Sequence, residues 1–228
     1  MRGAGITKPT FGASCASSGG AANDPLDGRW SATRRRFGTG SECAGHGLKK
    51  ALGERRTIVF IDESGLSERP HRVRTWAPRG QTPVLQYHFN WKVLSALAGI
   101  TWWNFYFRLY EDTIRAPQVV DFLAHLLRQL PGRLQVIWDR AKTHRSRLVG
   151  EFVAGQRGRL TLDYLPAYAP ELNPVEYIWG YWKYHELPNF CPHDFSQLNY
   201  HARHTLRRMR RRPTLVMAFW EQAELFPL

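Results

Sequence analysis

The chain has 228 residues, 43% of them hydrophobic and nine of them tryptophan, which is enough to bury a core and too apolar for a disordered polypeptide. Thirty-two Lys and Arg against 19 Asp and Glu leave a formal charge of +13, which points to a polyanionic partner, either nucleic acid or an anionic membrane surface. No apolar run reaches the ~18 residues of a membrane span, residues 1–20 lack the apolar stretch of a signal peptide, and Cys15, Cys43 and Cys191 are too few and scattered for a disulfide framework or a zinc site and fit a reducing cytosol.

Residues 1 to about 50 are dominated by Gly, Ala, Ser and Arg, with Arg34-Arg35-Arg36 among them, and hold no periodicity. They are expected to be disordered or loosely packed, a solvated tail or a basic arm. From Arg56 the pattern sharpens. Thr57–Asp62 reads as a buried strand, Ser64–Pro70 as a turn, and Arg72–Trp76 as a half-exposed strand broken by Pro78-Arg79-Gly80. Trp91–Thr101 is apolar and β-rich, a candidate central strand, and Asn104–Tyr110 alternates as another. Val119, Val120, Leu123, Leu126, Leu127 and Leu130 give Pro117–Leu130 a helical face, which Pro131-Gly132 stops. Leu134–Asp139 is a strand, Arg145–Gly155 a short helix and Leu160–Leu165 a strand.

Pro166, Pro170 and Pro174 then fix a rigid, non-helical turn. Asn173 can cap a helix over Asn173–His185 with Pro174 in its first turn, which sets Glu176 near the positive end of the helix dipole. Phe195–Arg212 reads as a basic helix stopped by Pro213, and Thr214–Leu225 as a further short one. Six arginines between 203 and 212 exceed what solubility needs and favour contact with a phosphate backbone, while a solvated helix is the plainer reading.

Two apolar strands that each end in an Asp, Asp62 and Asp139, and a helix that begins with Glu176 could converge at one sheet edge. Three such carboxylates repel one another unless a divalent cation lies between them, and hard cations prefer oxygen ligands. Taken singly, each acid has a plainer reading: Asp62 a turn cap, Asp139 a salt bridge to Arg140 or Lys142, Glu176 a solvated surface acid. Glu63, adjacent to Asp62, points to the other side of the strand.

The segments Phe60–Gly65, Val136–Asp139 and Pro166–Trp179 resemble the catalytic half of mariner-related bacterial insertion-sequence transposases, endonucleases of the DDE superfamily. Arg74-Thr75-Trp76-Ala77-Pro78-Arg79-Gly80, His144 five residues after Asp139, and the 36 residues between Asp139 and Glu176 also suit that family. The resemblance runs from about Ile58 to Leu225.

It implies an α/β, RNase H-like mixed sheet flanked by helices over residues 56–228, behind a low-order basic tail at 1–55. It also implies metal-dependent DNA strand cleavage and strand transfer with two Mg²⁺ ions (Mn²⁺ as a substitute). Asp62 would bridge the ions, and Asp139 and Glu176 would complete them. Lys183, Arg203, Arg207, Arg208 and Arg211 are the expected DNA contacts, with Glu63, Arg140, His144 and Asn173 around the ligands. The partners implied are DNA (element ends and target) and a second copy of the chain, with no membrane, in a bacterial cytoplasm beside the nucleoid. Two departures stand out. Relatives carry Asn after the second Asp, where this chain has Arg140, whose guanidinium could pair with Asp139 or grip phosphate. The helix-turn-helix modules that relatives carry upstream are also missing. A truncated or frame-disrupted remnant that binds DNA without catalysis is therefore the alternative.

Overall fold

The computed structural model describes residues 51, 53–87, 91–166 and 170–225. The expected tail over 1–55 therefore lies, for its first fifty residues, outside the described ones. Five strands form one mixed sheet: β1 (Thr57–Leu66), β2 (Leu94–Ile100), β3 (Phe105–Tyr110), β4 (Leu134–Trp138) and β5 (Leu160–Tyr164), in the spatial order β3-β2-β1-β4-β5. The first three pair antiparallel, and β4 and β5 add in parallel beside β1.

Period-two alternation in β1 splits the core into two layers. Val59 and Ile61 pack with Leu97, Val136 and Trp138 beneath α1 (Ala116–Gln129) and α2 (Arg147–Gly155). Ile58 and Phe60 pack on the other face beneath α3 (Pro174–Tyr181), α4 (Phe195–Arg210) and α5 (Pro213–Gln222). Both faces are covered, which is why β2 and β4 are apolar from end to end rather than alternating. Gly99 on β2 lies in a tightly packed spot: an added Cβ would stand 3.0 Å from the Val59 side chain.

Buried tryptophans fasten the second layer through their indole N–H groups. Trp182 donates to Thr205 Oγ1 and Trp220 to the Thr101 carbonyl, both at 2.9 Å, while Trp220 meets Phe60 edge-on. No helix among the described residues is long and apolar enough to cross a membrane.

Several expected elements shift. The strand expected to end at Asp62 continues to Leu66, because β2 keeps pairing with it as far as Leu66↔Leu94. The strand expected at Arg72–Trp76 does not form: His71 makes one isolated bridge to Pro188, and the Val73 main chain bonds instead to the Asn189 side-chain amide through both its N–H and its carbonyl. The expected central strand is interior, but the sheet is centred on β1. The proline-rich turn contains a 3₁₀ turn, Pro170–Leu172, and the helix after it widens into a π turn at Trp182–Glu186. Pro213 does not only stop α4; it opens α5, where its missing N–H costs nothing.

Candidate active site

Three parts of the chain converge where β1 outruns β4. Pairing with β4 ends at Phe60↔Ile137, so Asp62, two residues further on, borders a notch although it lies mid-strand. Asp139 follows β4 directly and rims the same notch, exposed. Asp62 shares the parity of Ile58 and Phe60, so it faces the α3 layer.

α3 is brought there by Asn173. Its side-chain oxygen accepts the Val175 N–H at 3.2 Å, and its side-chain nitrogen donates to the Ile61 carbonyl at 3.2 Å. One buried residue thus caps the helix and docks it onto β1 beside Asp62. Glu176 is in the first helical turn, as the capping pattern predicts, and is exposed. One turn later Trp179, 3% exposed, donates its indole N–H to Asp62 Oδ2 at 2.8 Å. Its position three residues past Glu176 sets Trp179 on the same face of the helix, where a core indole is the plainer expectation; the bond to Asp62 adds a second role.

The electrostatics of this corner are those of crowded acids. Burial, reinforced by the Glu176 charge, pushes the Asp62 carboxyl up to about 8, against the pull of the Trp179 hydrogen bond. Glu176 is raised as well, by desolvation and by Asp139, with Lys183 acting in the opposite sense. Lys183 is half-buried, and desolvation lowers its pKa against the charges of Glu176 and Asp62. Lys183 thus faces the carboxylates. The three acids act on one another in sequence, Asp62 on Glu176 and Glu176 on Asp139, yet among the described residues no three His, Cys, Asp or Glu side chains close around a single metal position.

The other predicted residues separate into groups. Asp139 pairs with neither Arg140 nor Lys142. Its Oδ1 takes the Ala141 N–H at 2.9 Å and lies 2.7 Å from His144 Nδ1. His144 is 1% exposed, and its Nε2 lies 2.8 Å from Glu63 Oε1. Burial works to lower the His144 pKa, but the Glu63 hydrogen bond and the charges of Glu63 and Asp139 outweigh it and hold it above the ordinary range. Glu63 lies on the face opposite Asp62, as strand alternation requires. Arg140 is exposed. On α4, Arg207 is exposed and Arg203 half-exposed, Arg211 just past its end is exposed, and Arg208 is ion-paired with Glu186.

Residues 57–199, most of the chain, match the DDE superfamily endonuclease family. No curated protein matches. Among solved structures, the chain is similar to the Mos1 mariner paired end complex with Mn (18% identity, TM-score 0.58, covering 78% of this chain and 57% of that one). It is similar to the Mos1 transposase paired-end complex with left transposon end (18%, TM-score 0.60, 92% and 63%). It is likewise similar to the mariner Mos1 paired end complex with Mg (18%, TM-score 0.60, 96% and 64%). The chain therefore spans less than two thirds of those chains' length, and at this identity the likeness concerns the RNase H-like fold. With that fold and the match over most of its length, the chain belongs to the DDE superfamily endonucleases.

Proposed function

We propose that this chain is the catalytic part of a transposase that cuts and joins DNA strands, with Asp62, Asp139 and Glu176 as the carboxylates of its active site. The observation that carries the reading is the meeting of acids at the end of β4. Asp62 on β1 is bonded by Trp179 from the helix whose first turn holds Glu176, Asp139 follows the neighbouring strand, and burial and Glu176 push Asp62 up to about 8. The donor set fits a hard divalent cation, since every candidate ligand is a carboxylate oxygen, and Mg²⁺ commonly uses one or two protein carboxylates and completes its shell with substrate phosphate. Two such ions, Mg²⁺ or Mn²⁺, would clamp the attacking and leaving oxygens of a phosphodiester.

The chain's own residues have separable tasks. Trp179 fixes the rotamer of Asp62 through its indole N–H. Asn173 sets the height of α3 on the sheet and with it the position of Glu176. Lys183, on the carboxylate side of the helix, is placed to meet a DNA phosphate. Arg203, Arg207 and Arg211 give α4 a cationic side for the rest of the backbone, and Arg208 serves Glu186 first. The cation-rich composition and this basic helix favour DNA as the substrate. Element ends and target as that DNA, a dimer and the nucleoid of a bacterial cell are carried over from the resemblance to insertion-sequence transposases.

The test is nicking of a supercoiled plasmid with Mg²⁺ or Mn²⁺ by the wild type and by Asp62→Ala, Asp139→Ala and Glu176→Ala. Metal-dependent nicking that all three variants lose supports the reading, and wild-type rates in any variant remove that residue from the site. A second reading, DNA binding without catalysis, is favoured by the absence of a closed metal cluster among the described residues and by Arg140 beside Asp139. It expects salt-sensitive DNA retention, indifferent to metal, by all four proteins.

A further inference from the structure

We propose that Glu63 and His144 are positioning residues for Asp139: a carboxylate–imidazole–carboxylate chain that fixes which oxygen Asp139 presents to a cation. The proposal rests on the reading of Asp139 as a ligand.

Asp139 needs such a device. It lies just past the end of β4 with a side chain 56% exposed, where packing does not select a rotamer. The His144 ring, in contrast, cannot turn. It lies flat on the Trp138 indole, with centroids 4.2 Å apart and planes within 3°, and Trp138 is itself fully buried. The stack sets the plane of the ring, and hydrogen bonds at its two nitrogens set its rotation within that plane. Nε2 lies 2.8 Å from Glu63 Oε1, and Nδ1 lies 2.7 Å from Asp139 Oδ1 and 3.3 Å from the Asp139 carbonyl.

Glu63 comes from β1 and Asp139 follows β4, so the chain also ties together the two strand segments that carry Asp62 and Asp139. The Ala141 N–H falls on the same Asp139 oxygen as His144, at 2.9 Å. The Ala141 hydrogen bond and the His144 ionic contact thus both engage Oδ1, while the hydrogen bond of Nδ1 goes to the Asp139 carbonyl, which leaves Oδ2 as the oxygen to offer. Outer partners of this kind orient a ligand without touching the metal, and their loss typically weakens metal binding about 10- to 100-fold.

Two substitutions at His144 separate positioning from mere packing. In His144→Asn the amide nitrogen takes the place of Nδ1 and can still hold Asp139; in His144→Gln it takes the place of Nε2 and reaches only Glu63. Both lose the stack on Trp138, so a packing role would make them equivalent. The readout is Mn²⁺ affinity of the full chain without DNA, from the free-ion EPR signal during titration, beside the wild type, Glu63→Gln and Asp139→Asn. The expected result is a roughly tenfold or larger loss of affinity in His144→Gln, Glu63→Gln and Asp139→Asn, with His144→Asn within about threefold of the wild type. Equal affinities in the two His144 variants, or wild-type affinity in Glu63→Gln, overturn the positioning role while leaving Asp139 a ligand. Wild-type affinity in Asp139→Asn overturns the ligand reading and the proposal with it.

Discussion

The side-chain amide of Asn173 donates to the main-chain carbonyl of Ile61 at 3.2 Å, tying the start of the helix that bears Glu176 to the residue before Asp62. The same amide caps that helix through Val175. Asn173→Ala removes both bonds and leaves a buried carbonyl without its donor, so it should cost about 2–3 kcal/mol in urea unfolding. Asn173→Ser keeps a capping oxygen but is too short to reach Ile61, and should cost about half as much. Equal costs for the two would mean that the link to β1 carries no stability.

Asp62 should be a site where stability is lost to function. Its folded pKa, about 8, lies above its ordinary 3.8, so the fold prefers the protonated form. The sign follows: the stabilising contribution is complete below pH 4 and disappears as the pH rises towards 8. In EDTA, Asp62→Asn should therefore match the wild type near pH 4 and exceed it at pH 8 by about 1–3 kcal/mol, roughly 3–10 °C in Tm. Added Mg²⁺ should raise the Tm of the wild type and leave that of the variant unchanged. A variant less stable than the wild type at pH 8 in EDTA would show that Asp62 is ionised and satisfied in the fold.

Much of this architecture is legible in the amino-acid order, and the exceptions have physical reasons. The apolar runs that become β1, β2 and β4, the helical face of Val119–Leu127 and the Asn-Pro cap at Asn173 each state a local preference that tertiary packing confirms. The end of β1 was not legible, because one neighbour stops at Phe60 and the other continues to Leu66; a strand's length depends on partners that its own sequence does not contain. Arg72–Trp76 alternates like a strand, but a side chain 116 residues away takes its main-chain bonds, and Trp76 remains 98% exposed. His144 sits among Arg140, Lys142 and Arg145, where a surface histidine and one that orients a ligand read alike. Its burial follows from Glu63, which alternation sends to the face opposite Asp62, where a half-buried acid finds a partner. Asp62, Asp139 and Glu176 are each legible as acids at a strand or helix end, while the hydrogen bonds around them are properties of the fold.

Trp179 makes a separable contribution to the site. Its ring is packed in the layer beneath α3, and its N–H donates to Asp62. Trp179→Phe keeps most of the apolar surface and deletes the donor, so unfolding should shift by about 1–2 kcal/mol while plasmid nicking falls roughly tenfold or more. The two effects should separate on Trp179→Leu, which loses stability further without a further proportional loss of nicking. If nicking in the two variants tracks stability alone, the indole contributes packing and not orientation.

The arginines of α4 should divide into two kinds. Arg208 pairs with Glu186, whose side chain is 4% exposed, and Arg212 stands 3.8 Å from the same carboxylate and donates to the Tyr181 hydroxyl at 3.1 Å. Arg208→Ala withdraws the nearer cation from an almost buried acid, which should cost about 1–3 kcal/mol, the desolvation of an under-compensated group. Arg207 and Arg211 are exposed, and replacing either by Ala should leave unfolding within about 0.5 kcal/mol of the wild type. If they grip DNA phosphates, each loss should weaken binding on all sequences alike and lower the slope of log K against log salt by about 1. Fluorescence anisotropy with a labelled duplex over a range of salt concentrations measures that slope. An unchanged slope in the Arg207 and Arg211 variants would remove α4 from the DNA interface and leave its charge to solubility.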